Sequence, residues 1–211
     1  MYIDGTIREY LNDASSGRPT PGGGSIAAAA GALGLSMACM SANFTVGKKK
    51  YKDVEDEVKG HLGVCMEMRD ELLRLMDEDT QAYAEVSKAY GMPKGTDEEK
   101  VARAEAIQKA LVVAMGAPLQ AVRACRKALQ SVAALVDIAN KNLISDVGVA
   151  ALLTEAALRA AKLNVEINLS YLKDQALVDA TREEIQAAAS EAKADAEAVM
   201  EKVVKAVGGT L

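Results

Sequence analysis

The sequence predicts an all-α protein, an antiparallel bundle of long helices, and three observations carry that expectation. Aromatic residues make up only 3% of the chain, with no Trp and one Phe. Its core must therefore be built from Ala, Leu, Val, Ile and Met, which suit helix packing, whereas a sandwich or barrel draws on Tyr, Phe and Thr. Apolar residues recur at helical spacing, and no stretch of any length alternates with the period of a strand. The segments between them are short and carry Gly, Pro, Ser, Thr and Asn where helices start and stop. With 211 residues, the chain is expected to form one core and one domain, 1–211.

Taken in order, residues 4–15 place Ile7, Tyr10 and Leu11 at helical spacing, with Asp4 or Thr6 to cap the start. Ser15, Ser16, Gly17 and Pro19 end that helix. After the glycine run at 22–24, Ser25 is a natural N-cap for an apolar helix to about Val46, closed by Gly47. A long amphipathic helix follows from about Asp53 to Tyr90, with Leu62, Met66, Leu72, Leu73, Met76, Tyr83 and Val86 on its apolar side. Residues 91–96, GMPKGT, break it, and Thr96 with Glu99 reads as a capping box for the next helix. That helix, about 97–115, should stop or kink at Gly116 and Pro118, because proline lacks an amide donor. Further helices are expected over about 118–139, 146–172 and 175–207, with the polar knot NKNLISD at 140–146 between the first two and Ser145 as a cap.

Charge and cysteine content narrow the function. A net charge of −5 and a pI near 5.1 argue against a nucleic-acid partner, since no basic face offsets the acidic balance. Cys39, Cys65 and Cys125 are scattered and show no CxxC spacing, and His61 is the one histidine. Neither a structural zinc site nor a disulfide framework is expected, and a reducing cytoplasm is the natural setting. No charged segment precedes an apolar core with a cleavage site, so no signal peptide is expected. Residues 25–46 look superficially like a membrane span, but Ala, Gly and Ser dominate them. A buried helix with no membrane partner is the better reading. Helices 25–46 and 146–172 are apolar on most sides, more than one outer layer would cover, so a homodimer is expected.

Several constellations are candidates for chemistry, each with an ordinary structural explanation. PGGGS alone is a tight turn into a helix; it is neither a Walker A nor a GxGxxG after a strand. Functionally, it is a helix N-terminus with free amides for an anionic or carbonyl group. Lys48, Lys49 and Lys50 alone would be a solvated helix end. Among Asp77, Glu78 and Asp79, helical spacing turns at least one inward, with Asp79 the best candidate. Asn140, Asn142, Ser145 and Asp146 form a polar break that must be hydrogen-bonded or serve a ligand. Asn164 and Asn168 share a helix face, for which interhelical hydrogen bonding is the ordinary reading. His61 reads as structural or surface, and Met37, Met40, Met66, Met68 and Met76 read as gap-filling core, not metal ligands.

Together these motifs resemble one family, the cyclodeaminase/cyclohydrolase family of tetrahydrofolate enzymes. It includes the C-terminal domain of formimidoyltransferase-cyclodeaminase and the stand-alone methenyltetrahydrofolate cyclohydrolases. The likeness is carried by PTPGGGSIAAAAGALGLSMACMSANFTVGKKKY at 19–51, DEDTQAYAEVSKAYGMPK at 77–94 and NKNLISDVGVAALLTEAALRAAKLNVEINL at 140–169. It runs nearly the full chain in order. The resemblance implies an all-α fold, dimeric assembly, a folate ligand, no metal and no cofactor beyond the folate substrate.

Two chemistries are implied. A cyclohydrolase adds water to the amidinium carbon of 5,10-methenyltetrahydrofolate to give 10-formyltetrahydrofolate. A cyclodeaminase closes 5-formiminotetrahydrofolate and expels ammonia. Either site must tolerate a cationic one-carbon unit and move protons at a tetrahedral centre. Asp79 and Asp146 are the candidate carboxylates, and Lys49 or Lys50 the candidate acid. Gly22, Gly23, Gly24 and Ser25 would supply backbone donors, and Asn43 and Asn142 would bind the pterin or position water. Lys48 and its neighbours would equally suit a polyglutamylated tail. At this length there is no room for a transferase domain, which favours the cyclohydrolase. The remaining reading is a non-catalytic helical interaction module, disfavoured because the site-like residues are all present.

Overall fold

A computed structural model describes residues 1–209. Six α-helices account for most of them: α1 (Ile7–Ala14), α2 (Gly23–Asn43), α3 (Glu55–Tyr90), α4 (Asp97–Ile138), α5 (Ile144–Leu169) and α6 (Gln175–Val207). No strand occurs among the described residues. The expected all-α class holds.

Starts follow the capping chemistry in the sequence. Thr6 accepts the Glu9 amide at 3.1 Å while the Glu9 carboxylate accepts the Thr6 amide at 2.9 Å, so α1 opens with a complete capping box. Thr96 and Glu99 repeat the device at α4, at 3.2 and 3.1 Å. Asp174 accepts the Leu177 amide to open α6, and Gly208 closes it in the left-handed region at φ 71°.

Three expectations about boundaries are corrected. Residues 97–138 form one continuous helix with Pro118 inside it, not two helices divided at Gly116 and Pro118. An interior proline costs a helix about 3 kcal/mol. That cost is outweighed here because α4 is packed along its length against α3, α5 and α6, with Pro118 itself buried. Ser25 is not the N-cap of α2; Gly22 holds that position with extended backbone, and Ser25 lies in the first turn. The helix ends at Asn43, and Gly47, at φ 73°, shapes the following turn. Ser145 likewise lies inside the first turn of α5. The preceding 3-10 turn, Lys141–Leu143, is capped instead by the Asn140 side chain, which accepts the Asn142 amide at 3.1 Å.

The arrangement places α2 between α3 and α5, and α4 between the same two helices on the opposite side; α6 lies across α4 and α5. Leu35, Leu72, Leu75, Leu129, Leu135, Leu158 and Ile185 are fully buried at the centre. Glycines let α2 approach its neighbours closely. A Cβ at Gly31 would come within 2.9 Å of Leu72, and one at Gly34 within 2.9 Å of Leu153. Because α6 covers the far side of the bundle, no long helix covers the outer face of α2, and only the short α1 lies beside it. Leu33 is 59% exposed there, and Leu163 on the adjoining face of α5 is 71% exposed. Helix α2 is long and apolar enough to cross a membrane, but most of it is buried inside the bundle.

Candidate active site

The glycine run and the acidic stretch of α3 meet at one end of the bundle. Asp77, Glu78 and Asp79 point three ways. Glu78 pairs with Arg74 on the surface. Asp77 is only 6% exposed; its Oδ1 accepts the Tyr2 amide at 2.8 Å, and its Oδ2 has no hydrogen-bond partner. Nothing in the structure explains that orphan oxygen. Asp79 faces the start of α2, where its Oδ2 accepts the Ser25 amide at 3.0 Å. An aspartate receiving a first-turn amide is a favourable pairing. Burial nonetheless raises the Asp79 pKa above its ordinary value, with the Ser25 hydrogen bond partly offsetting it. A half-buried carboxylate that holds its proton more readily than usual is suited to acid–base work.

The glycines are required for space, not for positive φ. A Cβ at Gly24 would sit 2.2 Å from Asp79 Oδ1, and one at Gly23 would sit 3.0 Å from Asn164 Oδ1. No side chain fits at position 24 unless Asp79 moves. Ser25 is fully buried and its hydroxyl shares a 2.8 Å hydrogen bond with the Tyr10 hydroxyl, which ties α1 to this corner.

A cleft of about 490 Å³ opens beside these groups. One wall is the glycine turn. Another is the face of α3 that carries Asp79, Tyr83, Ser87 and Tyr90, and the third is the end of α5 with Asn164, Asn168 and Tyr171. Tyr83, Tyr90 and the two asparagines were missed as site residues from sequence. Their signal is spacing: 79, 83, 87 and 90 lie on one helical face, as do 164, 168 and 171. A second cleft, about 410 Å³, lies between α1 and α2 and is lined largely by apolar groups such as Ile7, Leu11 and Leu33. It offers little for proton transfer, which leaves the polar cleft as the candidate site.

The other candidates lie elsewhere. Lys48, Lys49, Lys50 and Asn43 are exposed at the far end of α2, a 21-residue helix and hence roughly 30 Å long. Asp146 and Asn142 belong to that same end, at the start of α5. There Asn140 donates its amide to Thr45 Oγ1 at 2.8 Å, and the Tyr51 hydroxyl donates to Asn140 Oδ1 at 3.3 Å. The polar knot thus ties the α4–α5 connection to the end of α2. Within one chain, Gly22, Gly23, Gly24, Ser25 and Asp79 come together, and Lys48, Lys49, Lys50, Asn43, Asn142 and Asp146 do not join them. Among the described residues, no three His, Cys, Asp or Glu side chains converge as a metal-ligand set.

An all-helical bundle with a carboxylate-bearing cleft at a glycine-rich helix start defines the class of protein, and comparison with known proteins places it more closely. Residues 6–187 match the family model described as formiminotransferase-cyclodeaminase, and the chain belongs to that family. It is 41% identical over 198 residues to the methenyltetrahydrofolate cyclohydrolase of Methylorubrum extorquens, covering 94% of this chain and 95% of that protein. The formimidoyltransferase-cyclodeaminase of Rattus norvegicus is 30% identical over 94% of this chain, which spans 37% of that protein's length. Among solved structures, the formiminotetrahydrofolate cyclodeaminase of Thermotoga maritima superposes with a TM-score of 0.79 at 31% identity, covering 99% of this chain and 98% of that one.

Proposed function

We propose that this protein is a methenyltetrahydrofolate cyclohydrolase, an enzyme that interconverts 5,10-methenyltetrahydrofolate and 10-formyltetrahydrofolate. The observation that carries the reading is the 41% identity, over nearly the full length of both chains, to a protein of that name. The half-buried Asp79 beside the glycine turn supplies what the reaction needs. In its ionised form the carboxylate attracts the cationic amidinium and takes a proton from water as the water oxygen bonds to the amidinium carbon. The tetrahedral adduct then breaks its bond to N5, which receives a proton, and the one-carbon unit remains on N10 as a formyl group. One proton is released overall. No cofactor beyond the folate enters this scheme.

The solved cyclodeaminase at 31% identity supports a second reading, formiminotetrahydrofolate cyclodeaminase. One experiment separates them: loss of methenyltetrahydrofolate absorbance is followed in one cuvette, and ammonia release from 5-formiminotetrahydrofolate in another. Rapid methenyl hydrolysis without ammonia release is the expected result. Ammonia release with no faster methenyl loss than in buffer would overturn the first reading.

We also propose a cytoplasmic homodimer, built on the exposed faces of α2 and α5, with α1 at the edge of the contact. Ile26, Ala30, Leu33, Met37, Met40 and Phe44 repeat at alternating steps of four and three, the spacing of a helix seam. A two-fold pairing that runs the two α2 helices antiparallel would bring the lysine end of one chain toward the Asp79 end of the other. Lys49 or Lys50 would then serve as acid, and Lys48 would meet the glutamate tail, polyglutamylated or not. Asp146, Asn43 and Asn142 would join the site from the same end.

A further inference from the structure

Two side-chain amides and a carboxylate line one corner of the 490 Å³ cleft. Asn164 donates its side-chain N–H to Ala160 O at 2.9 Å, and Asn168 donates its own to Asn164 O at 2.8 Å. Both amides spend a donor on their own helix, which fixes their orientation. Each keeps its Oδ1 as an acceptor and one N–H as a donor, and both polar atoms of the Asn164 amide lie beside Gly23. Asp79 uses Oδ2 on the Ser25 amide and keeps Oδ1 on the glycine side. One corner of the cleft therefore offers three side-chain oxygen acceptors beside the remaining amide donors.

The rest of the lining is aromatic to a degree the chain shows nowhere else. It has six tyrosines and one phenylalanine in all. Tyr83, Tyr90 and Tyr171 border this one cleft, and the first two lie 45% exposed. Exposed rings around a cleft suit a flat ligand, since ring faces stack at little entropic cost.

Given that the substrate is a tetrahydrofolate, as proposed above, we infer that this cleft is the subsite for the reduced pterin ring. Asn164 and Asn168 are its specificity-determining residues, and the three tyrosines are its stacking walls. The 2-amino group, N3 and N8 of a tetrahydropterin are N–H donors, and its N1 and O4 are acceptors, an edge that oxygen acceptors and side-chain amides meet together. The p-aminobenzoyl ring is also flat but carries no such edge. A site built to accept hydrogen bonds discriminates strongly against a ligand that cannot supply them.

Inhibition of methenyltetrahydrofolate turnover by two fragments tests the inference: 6-methyltetrahydropterin, and p-aminobenzoylglutamate. Asn164→Leu and Asn168→Leu are expected to raise the inhibition constant of the pterin fragment about tenfold or more, one lost hydrogen bond each, and to leave that of the other fragment unchanged. Asn164→Asp keeps an acceptor and is expected to retain pterin binding within a few fold. Tyr83→Phe should bind like wild type, while Tyr83→Ala should weaken the pterin fragment. An active wild type whose Leu variants bind the pterin fragment unchanged would overturn the inference and leave the functional reading intact. So would a loss confined to p-aminobenzoylglutamate. A wild type that turns over neither folate would overturn the functional reading and this inference with it.

Discussion

Asp79 shows how one residue is tuned by its surroundings. Its folded pKa is raised, chiefly by burial, so the folded state holds the proton more tightly than the unfolded chain. Stability is therefore highest below the ordinary carboxylate range and falls as pH rises toward the folded pKa. At neutral pH the ionised group works against folding. Asp79→Asn keeps an oxygen for the Ser25 amide and removes that charge. The variant is expected to melt at or above the wild-type temperature at pH 7, with the difference vanishing in acid. Its turnover should fall at least about 100-fold, the usual scale for a lost acid–base group. Thermal melts and methenyl hydrolysis on the same preparation check both. Wild-type kcat/KM should also rise with pH along a limb displaced above the ordinary aspartate range. Asp79 was visible in the sequence as the inward member of an acidic triplet, but Asp77 turned inward too. Helical spacing alone does not say which neighbours will receive a side chain.

At the scale of elements, the glycines separate into those that are needed and those that are not. Gly31 and Gly34 lie on the buried side of α2, where a methyl group would press on Leu72 and Cys125, or on Leu153 and Thr154. Gly31→Ala and Gly34→Ala are expected to cost about 1–3 kcal/mol each, the usual price of overpacking. Gly60 and Gly63 lie within α3 with open space where a Cβ would be. There, alanine should stabilise by up to about 1 kcal/mol through helix propensity. Urea unfolding of the four variants checks the contrast. The four glycines look alike in sequence, since each falls inside a predicted helix. Pro118 teaches the converse lesson. The break expected there is a local preference, and packing on three helices overrides it.

For the whole molecule, the exposed seam of α2 and α5 is the feature with consequences. Leu33 and Leu163 are already exposed in the single chain, so charging them should not harm its folding. Leu33→Glu with Leu163→Glu is expected to shift the protein from dimer to monomer in analytical ultracentrifugation while preserving its helical spectrum. If the lysine end of one chain completes the site of the other, turnover will fall with the dimer. A wild type that sediments as a monomer would refute the pairing. All three cysteines are free and buried, and burial pushes Cys65 and Cys125 up to about 12, which leaves these thiols unreactive.

What the sequence determined by itself was local or periodic. Helical spacing and the scarcity of aromatics set the class, Thr6–Glu9 and Thr96–Glu99 marked two starts, and the motif strings pointed to the family. Those signals act over a few residues, or repeat, and so can be read along a line. Tertiary structure decided what depends on distance across the bundle. It put Asp79 against Gly24 and Ser25, turned Asn164 and Asn168 toward the same cleft, and held the lysines at the other end of α2. The reason is physical: a 21-residue helix carries the two ends of one motif string roughly 30 Å apart, while packing brings together groups that are far apart in the chain.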